Sequence, residues 1–302
     1  MTAGGSPSRR VVLGALAASG LGLLTGCAGS AGTRQTDPVQ PPAASSATAG
    51  PAPARHHYGS DPSQWGELYL PDGPKRAGTA IVIHGGFWRA EYGADLGAPL
   101  AADLAARGWT AWNLEYRRVG IGGGWPNTLT DIAAGIDYLA GLLPASDLHR
   151  VVAIGHSAGG QLAAWAAHRG KLAAGEPGAA PKVRLSAVVS QAGVLDLVSA
   201  ATDGVGGTAV ADLLGGSPAA VPERYRIASP QAHLPLAVPV RCIHATADTN
   251  VPYSQSVNYV RAAKRAGGDA DLVQVPGDHF TLIDTSAPAW QAVLRLLPVL
   301  LG

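Results

Sequence analysis

The chain predicts an α/β fold, a mostly parallel central sheet with helices on both faces, and three observations carry that expectation. Short apolar runs of strand character alternate with helical stretches from about residue 56 onward, the rhythm of a sheet wound with crossover helices. That rhythm breaks once, at about 195–236, where two short helical pieces stand in place of a single crossover. A Gly-x-Ser-x-Gly turn joins one apolar run to the helix that follows it. The 302 residues have room for one large domain, and a formal net charge of +1 with an apolar fraction of 47% argues for a globular protein and against a nucleic-acid binder.

Taken from the start, residues 1–26 read as a segment outside the fold. Arg9 and Arg10 precede the apolar stretch 11–24, which is shorter than the roughly 20 apolar residues a membrane span needs, and Leu24-Thr25-Gly26-Cys27 closes it. The pattern resembles a bacterial twin-arginine export signal ending in a lipobox, with Val12 where such signals more often carry Phe. The resemblance implies lipidation of Cys27, which becomes the mature N-terminus. Residues 27–55 are rich in Ala, Gly, Ser, Thr and Pro and read as a flexible tether. The chain has two cysteines, so a lipidated Cys27 leaves Cys242 without a partner, and the apolar run around Cys242 makes it a small core residue.

Residues 56–302 form the expected domain. Strands are read at 66–70, 79–83, 110–115, 150–154, 185–190, 238–243 and 271–275, and helices at 95–107, 129–143, 158–169, 254–265 and 287–300. The stretch 195–236 is read as a small cap inserted above the sheet, in which 209–214 and 222–228 are helical.

The chemistry gathers where strands end. Ser157, in Gly155-His156-Ser157-Ala158-Gly159, stands on a tight bend that lifts its hydroxyl above the sheet, and the flanking glycines allow helix and strand to approach. A serine hydroxyl needs a base, and the base needs a partner that fixes its tautomer. His279 follows the last strand, and Asp248 follows the strand before it, giving the order Ser, Asp, His. Asp196 is the rival acid, whereas Asp278 reads as solvated or as a cap for 281–283. Upstream, a buried strand runs into His84-Gly85-Gly86-Phe87-Trp88. An acyl-transfer oxyanion needs preorganised N–H donors. The expected ones are Gly86 or Phe87, in the loop begun by Gly85, together with Ala158. Trp88, Trp125 and Phe280 read as candidates for lining an acyl or aryl pocket, and equally as core. Glu115-Tyr116-Arg117-Arg118 reads either as pocket wall or as a structural ion-pair network. Gly-rich 122–126 lacks the lysine of a phosphate loop. No His/Cys cluster has metal-ligand spacing, and no metal or organic cofactor is expected.

Together these motifs resemble the α/β-hydrolase superfamily, and within it the esterase and arylformamidase (kynurenine formamidase-like) branch, over about 56–302. The Ala158-Gly159-Gly160 continuation also resembles prolyl-oligopeptidase-type peptidases. The resemblance implies Ser157 as nucleophile, His279 as base, Asp248 as orienting acid and the Gly86 region as oxyanion hole. The expected activity is hydrolysis of small carboxylic esters or aryl amides through an acyl-enzyme. A short-peptide peptidase and a non-catalytic surface binding protein of the same fold are the alternatives. The expected location is the outer face of a bacterial cytoplasmic membrane or the cell envelope, held by lipid on Cys27.

Overall fold

The computed structural model describes residues 52–301. The expected export signal, Cys27 and the expected tether up to residue 51 lie outside the described residues. The strands are β1 (Ala54–His57), β2 (Trp65–Tyr69), β3 (Thr79–Ile83), β4 (Thr110–Leu114), β5 (Val151–His156), β6 (Ala187–Gln191), β7 (Val240–Ala245) and β8 (Ala270–Val275). They form one 8-stranded sheet in the order β1-β2-β4-β3-β5-β6-β7-β8. β1 pairs with β2 and β2 with β4 in antiparallel fashion, and every other pair is parallel. The α/β expectation therefore holds. The sequence reading placed Ala54 and Arg55 in the tether, but they open β1. This edge strand, Ala-Arg-His-His, is largely exposed and has no apolar face to announce it.

The helices are α1 (Ala98–Ala106), α2 (Asn127–Asp137), α3 (Leu139–Leu142), α4 (Ala158–His168), α5 (Leu197–Thr202), α6 (Ala209–Leu214), α7 (Pro222–Ala228), α8 (Ser254–Arg265) and α9 (Pro288–Leu301). The period-2 geometry of the strands builds a core on each face of the sheet. Ile81 and Ile83 of β3 face one core with Leu129, Leu162, Trp165 and Tyr259, which come from α2, α4 and α8. Ala80 and Val82 face the other core with Leu100, Leu104, Trp290 and Val293 of α1 and α9. Every residue of β3, β4, β5 and β6 is buried, as strands covered on both faces must be. The cap region holds α5, α6 and α7, the last two at the bounds expected from sequence.

Register is what aligns the loops. Ile83 pairs with Gly155, His156 with Gln191, Gln191 with Ile243, and Ala245 with Val275. The carboxyl ends of β3, β5, β6, β7 and β8 thus form one row, which carries in turn His84–Phe87, Ser157, Ala192–Asp196, Asp248 and His279.

Candidate active site

Ser157 has φ 55° and ψ −120°, a conformation L-residues rarely adopt, and it persists because the surroundings over-determine it. Its N–H donates to Gln191 O at 2.8 Å, tying the bend to β6. A Cβ on Gly155 would lie 2.1 Å from Gly159 O, and one on Gly159 would lie 2.1 Å from Ile83 O, so neither position accepts a side chain. α4 begins immediately after the serine and directs the positive end of its dipole at it. Almost all of α4 is buried, so this end is firmly placed.

The Asp248 and His279 side chains meet: His279 Nδ1–H donates to Asp248 Oδ2 at 2.7 Å. Asp248 Oδ1 accepts the N–H groups of Asn250 and Val251, both at 2.9 Å. Burial works against the Asp248 charge, but hydrogen bonds from His244 and His279 hold its carboxyl well below the usual range. His156 fastens His279 to the Ser157 bend. Its Nε2–H donates to His279 O at 3.0 Å, and the two rings lie 4.4 Å apart. Burial, with His279 beside it, pushes His156 far below the ordinary histidine value, so the ring is neutral and its donor is Nε2. Gln191 Nε2 donates to Leu282 O in the same loop. No hydrogen bond joins Ser157 Oγ to His279, whose Nε2 has no partner among the described residues. Bonds of this kind tighten once a reacting group lies between them.

Upstream, Gly86, Phe87 and Trp88 take φ of 105°, 51° and 57° in succession, and Arg89 N–H closes the turn on Gly86 O at 3.0 Å. A Cβ on Gly85 would sit 2.9 Å from Ser157 Cβ, so this loop lies directly against the Ser157 bend. Among the described residues the N–H groups of Gly86, Phe87 and Ala158 have no acceptor, and backbone donors left free beside a serine can hold an oxyanion. The loop is braced from below. Tyr116 O–H donates to His84 O at 3.0 Å, and the His84 ring stacks on Tyr116 at 4.3 Å. His84 also bridges Gly85 O (2.8 Å) and Glu115 Oε1 (3.0 Å). Burial would raise the Glu115 carboxyl, but His84, Arg118 and the Tyr116 N–H hold it below its ordinary value. Glu115–Arg118 is thus a structural network, completed by the double contact of Arg117 with Asp131.

The remaining expected positions divide. Phe280 is 45% exposed and stands edge-on to the His279 ring at 5.6 Å. Trp88 is fully buried and spends its indole N–H on Gln161, so it lines no open surface, contrary to the pocket reading. Its positive φ turns the ring into the core. Trp125 is half-buried, packs against the core and lies 5.9 Å below the Arg224 guanidinium. Asp196 caps α5 by accepting from Val198 and Ser199 N–H and faces no histidine. Asp278 accepts from Phe280 and Thr281, the capping role expected of it. The sequence assigned no role to two further side chains, His156 and His244, the latter 3.3 Å from Asp248. Only the position of His244 at a strand end, four residues before an acid, could have marked it. An open groove of about 410 Å³ on the cap, lined by Asp196, Tyr225, Arg226 and Ser229 among others, includes none of Ser157, Asp248 and His279. Among the described residues no group of three or more His, Cys, Asp or Glu is arranged to hold a metal.

The model of the family described as BD-FAE matches residues 67–262. No protein with a curated description matches the chain in sequence. Among solved structures, a truncated carbohydrate esterase from gut microbiota superposes with a TM-score of 0.70 at 23% identity, covering 81% of this chain and 94% of that one. Esterase B from Lactobacillus rhamnosis gives 0.69 at 23% identity, with 82% and 83% covered. Butyrate-bound esterase Est2 from the Planctomycetes species Thermogutta terrifontis gives 0.64 at 23%, with 82% and 93% covered. These likenesses show the fold, an α/β-hydrolase fold.

Proposed function

The chain belongs to the BD-FAE family, and from that premise we propose that it is a serine esterase that works through an acyl-enzyme. The observation that carries the reading is the 2.7 Å bond between His279 and Asp248, made in the loop that His156 ties to the strained Ser157 bend. In the reading, His279 Nε2 takes the Ser157 proton as Oγ attacks the ester carbonyl. The negative oxygen is received by the free N–H groups of Ala158 and of Gly86 or Phe87. His279 then returns the proton to the departing alcohol, and the acyl group stays on Ser157. Water repeats the cycle: His279 takes its proton, the acid leaves and Oγ is reprotonated. Asp248 keeps Nδ1 protonated, so that Nε2 faces the reaction as a base.

The names of the structural neighbours favour esters over peptides, and one is a carbohydrate esterase, so acylated sugars belong in the substrate panel beside simple esters. The arylformamidase-like His-Gly-Gly-Phe-Trp loop keeps aryl amides and formanilides in it. Arg9-Arg10 and Leu24-Thr25-Gly26-Cys27 support export, lipidation of Cys27 and residence at the outer face of the membrane or in the cell envelope. The mass of the mature N-terminal peptide reads this directly.

The test is fluorophosphonate labelling and ester hydrolysis by the wild-type chain beside Ser157→Ala. Labelling should vanish, and kcat should fall by at least about 10⁴-fold with the fold intact. A variant that keeps wild-type turnover overturns the reading.

A further inference from the structure

We propose that His244 is a positioning residue for this reaction, steadying the Asp248 oxygen that faces His279, and that Ser256 fixes the tautomer in which it does so. The inference rests on the esterase reading above.

His244 lies near the end of β7 and is fully buried. Its Nε2 is 3.3 Å from Asp248 Oδ2 and 3.1 Å from Val251 O, while its Nδ1 is 2.8 Å from Ser256 Oγ. A carboxylate and a carbonyl can only accept, so Nε2 carries the hydrogen. Nδ1 is then an acceptor, and the Ser256 hydroxyl on α8 donates to it. Hydrogen bonds in such a chain polarise one another, and here the chain runs from Ser256 through His244 to the carboxylate.

The bonding of Asp248 explains what His244 adds. The N–H groups of Asn250 and Val251 hold Oδ1. Oδ2 alone faces both imidazoles, with His279 at 2.7 Å and His244 at 3.3 Å. Three hydrogen-bond donors hold the carboxylate, and the His244 Nε2–H, bonded to Val251 O, adds a fourth N–H edge 3.3 Å from Oδ2, so the lone pair offered to His279 keeps its direction while that ring gains and loses a proton. The other ionisable groups close to this cluster are His156 of β5, held neutral by burial, Tyr253, whose ring stands edge-on to His244 at 5.2 Å, and the Cys242 thiol beside Ser256, pushed up to about 12 by burial. His244 is fully buried, so its effect on the reaction passes through Asp248.

The test compares His244→Leu, which removes the donor, with His244→Gln, whose amide nitrogen reaches the place of Nε2, and with Ser256→Ala. All three are assayed on an ester beside the wild-type chain and Ser157→Ala, with melting temperatures for each. His244→Leu should lower kcat about 10- to 100-fold with KM within about twofold, the range seen when a residue behind a functional group is lost. Its acid limb of kcat/KM should move to higher pH, because Asp248 relieved of one donor offers more charge to the His279 ring. His244→Gln should restore kcat to within about threefold, and Ser256→Ala should lower it about three- to tenfold. Wild-type kcat in His244→Leu, or a loss that His244→Gln does not repair, overturns the proposal. If His244→Leu fails to fold, Ser256→Ala decides: a lowered kcat at an unchanged melting temperature supports the proposal, and wild-type kcat overturns it. An inactive wild-type chain, or an active Ser157→Ala, overturns the esterase reading and this inference with it. Normal turnover in His244→Leu beside a dead Ser157→Ala overturns this inference alone.

Discussion

Among the described residues two carboxylates are buried against imidazoles: Glu115 against His84 at 3.0 Å beneath the glycine loop, and Asp248 against His279 at 2.7 Å, with His244 3.3 Å away, at the end of the sheet. In chemical composition they are alike, and in wiring they are opposites. Glu115 spends Oε1 on His84 and the Tyr116 N–H, and Oε2 on the Ala94 N–H and Arg118. Both His84 nitrogens are engaged and its ring is stacked on Tyr116. Asp248 has no arginine or lysine beside it, and His279 keeps Nε2 without a partner among the described residues. A brace uses every bond it can make, whereas a group that moves protons must leave one unmade. The presence of a pair therefore says less about role than the bonds it withholds.

The contrast predicts opposite failures for matched substitutions. Asp248→Asn keeps size and most contacts but offers His279 the wrong partner for its Nδ1–H. Its kcat should fall by about 10⁴-fold while the melting temperature moves by only a few degrees, as read by ester turnover and calorimetry. Glu115→Gln should do the reverse. Breaking a buried charge pair from one side costs about 3–5 kcal/mol, visible in urea unfolding, and turnover per folded molecule should fall far less than in Asp248→Asn. Equal losses of kcat in the two variants would erase the distinction.

Acid gives a smaller and slower effect. Both carboxylates are held below their ordinary values in the folded state, so each binds protons less readily there than in the unfolded chain. Their contribution to stability is complete above the unfolded value near pH 4 and drains away as pH falls below it. Urea midpoints measured from pH 6 down to pH 3 should drop, and Glu115→Gln should flatten the lower part of that curve. An unchanged slope in the variant would mean that Glu115 is not one of the groups responsible.

Much of the architecture was legible because buried parallel strands write themselves in Val, Ile and Ala. The bounds of β3 and α8 in the structure are those read from the sequence. β1 was not legible, since an exposed edge strand of Arg and His has no hydrophobic pattern and is specified by its partner, β2. At the site, the glycines around Ser157 were readable because close backbone approach leaves few other choices. The inward turn of Trp88 was not, because it depends on a run of positive φ that glycine-rich spelling permits without dictating. Nor were the roles of His156 and His244 readable: the partner of His156 lies 123 residues away, and the spacing of His244 to Asp248 marks a candidate contact without saying what it does.

Cys242 has a practical consequence. It is fully buried, and burial pushes its thiol up to about 12, so in the native protein it is closed to alkylating and disulfide reagents. The only other sulfhydryl in the chain is Cys27. A rapid maleimide reaction on undenatured protein thus counts one group, and the count distinguishes an unprocessed N-terminus from one whose sulfur already carries a thioether.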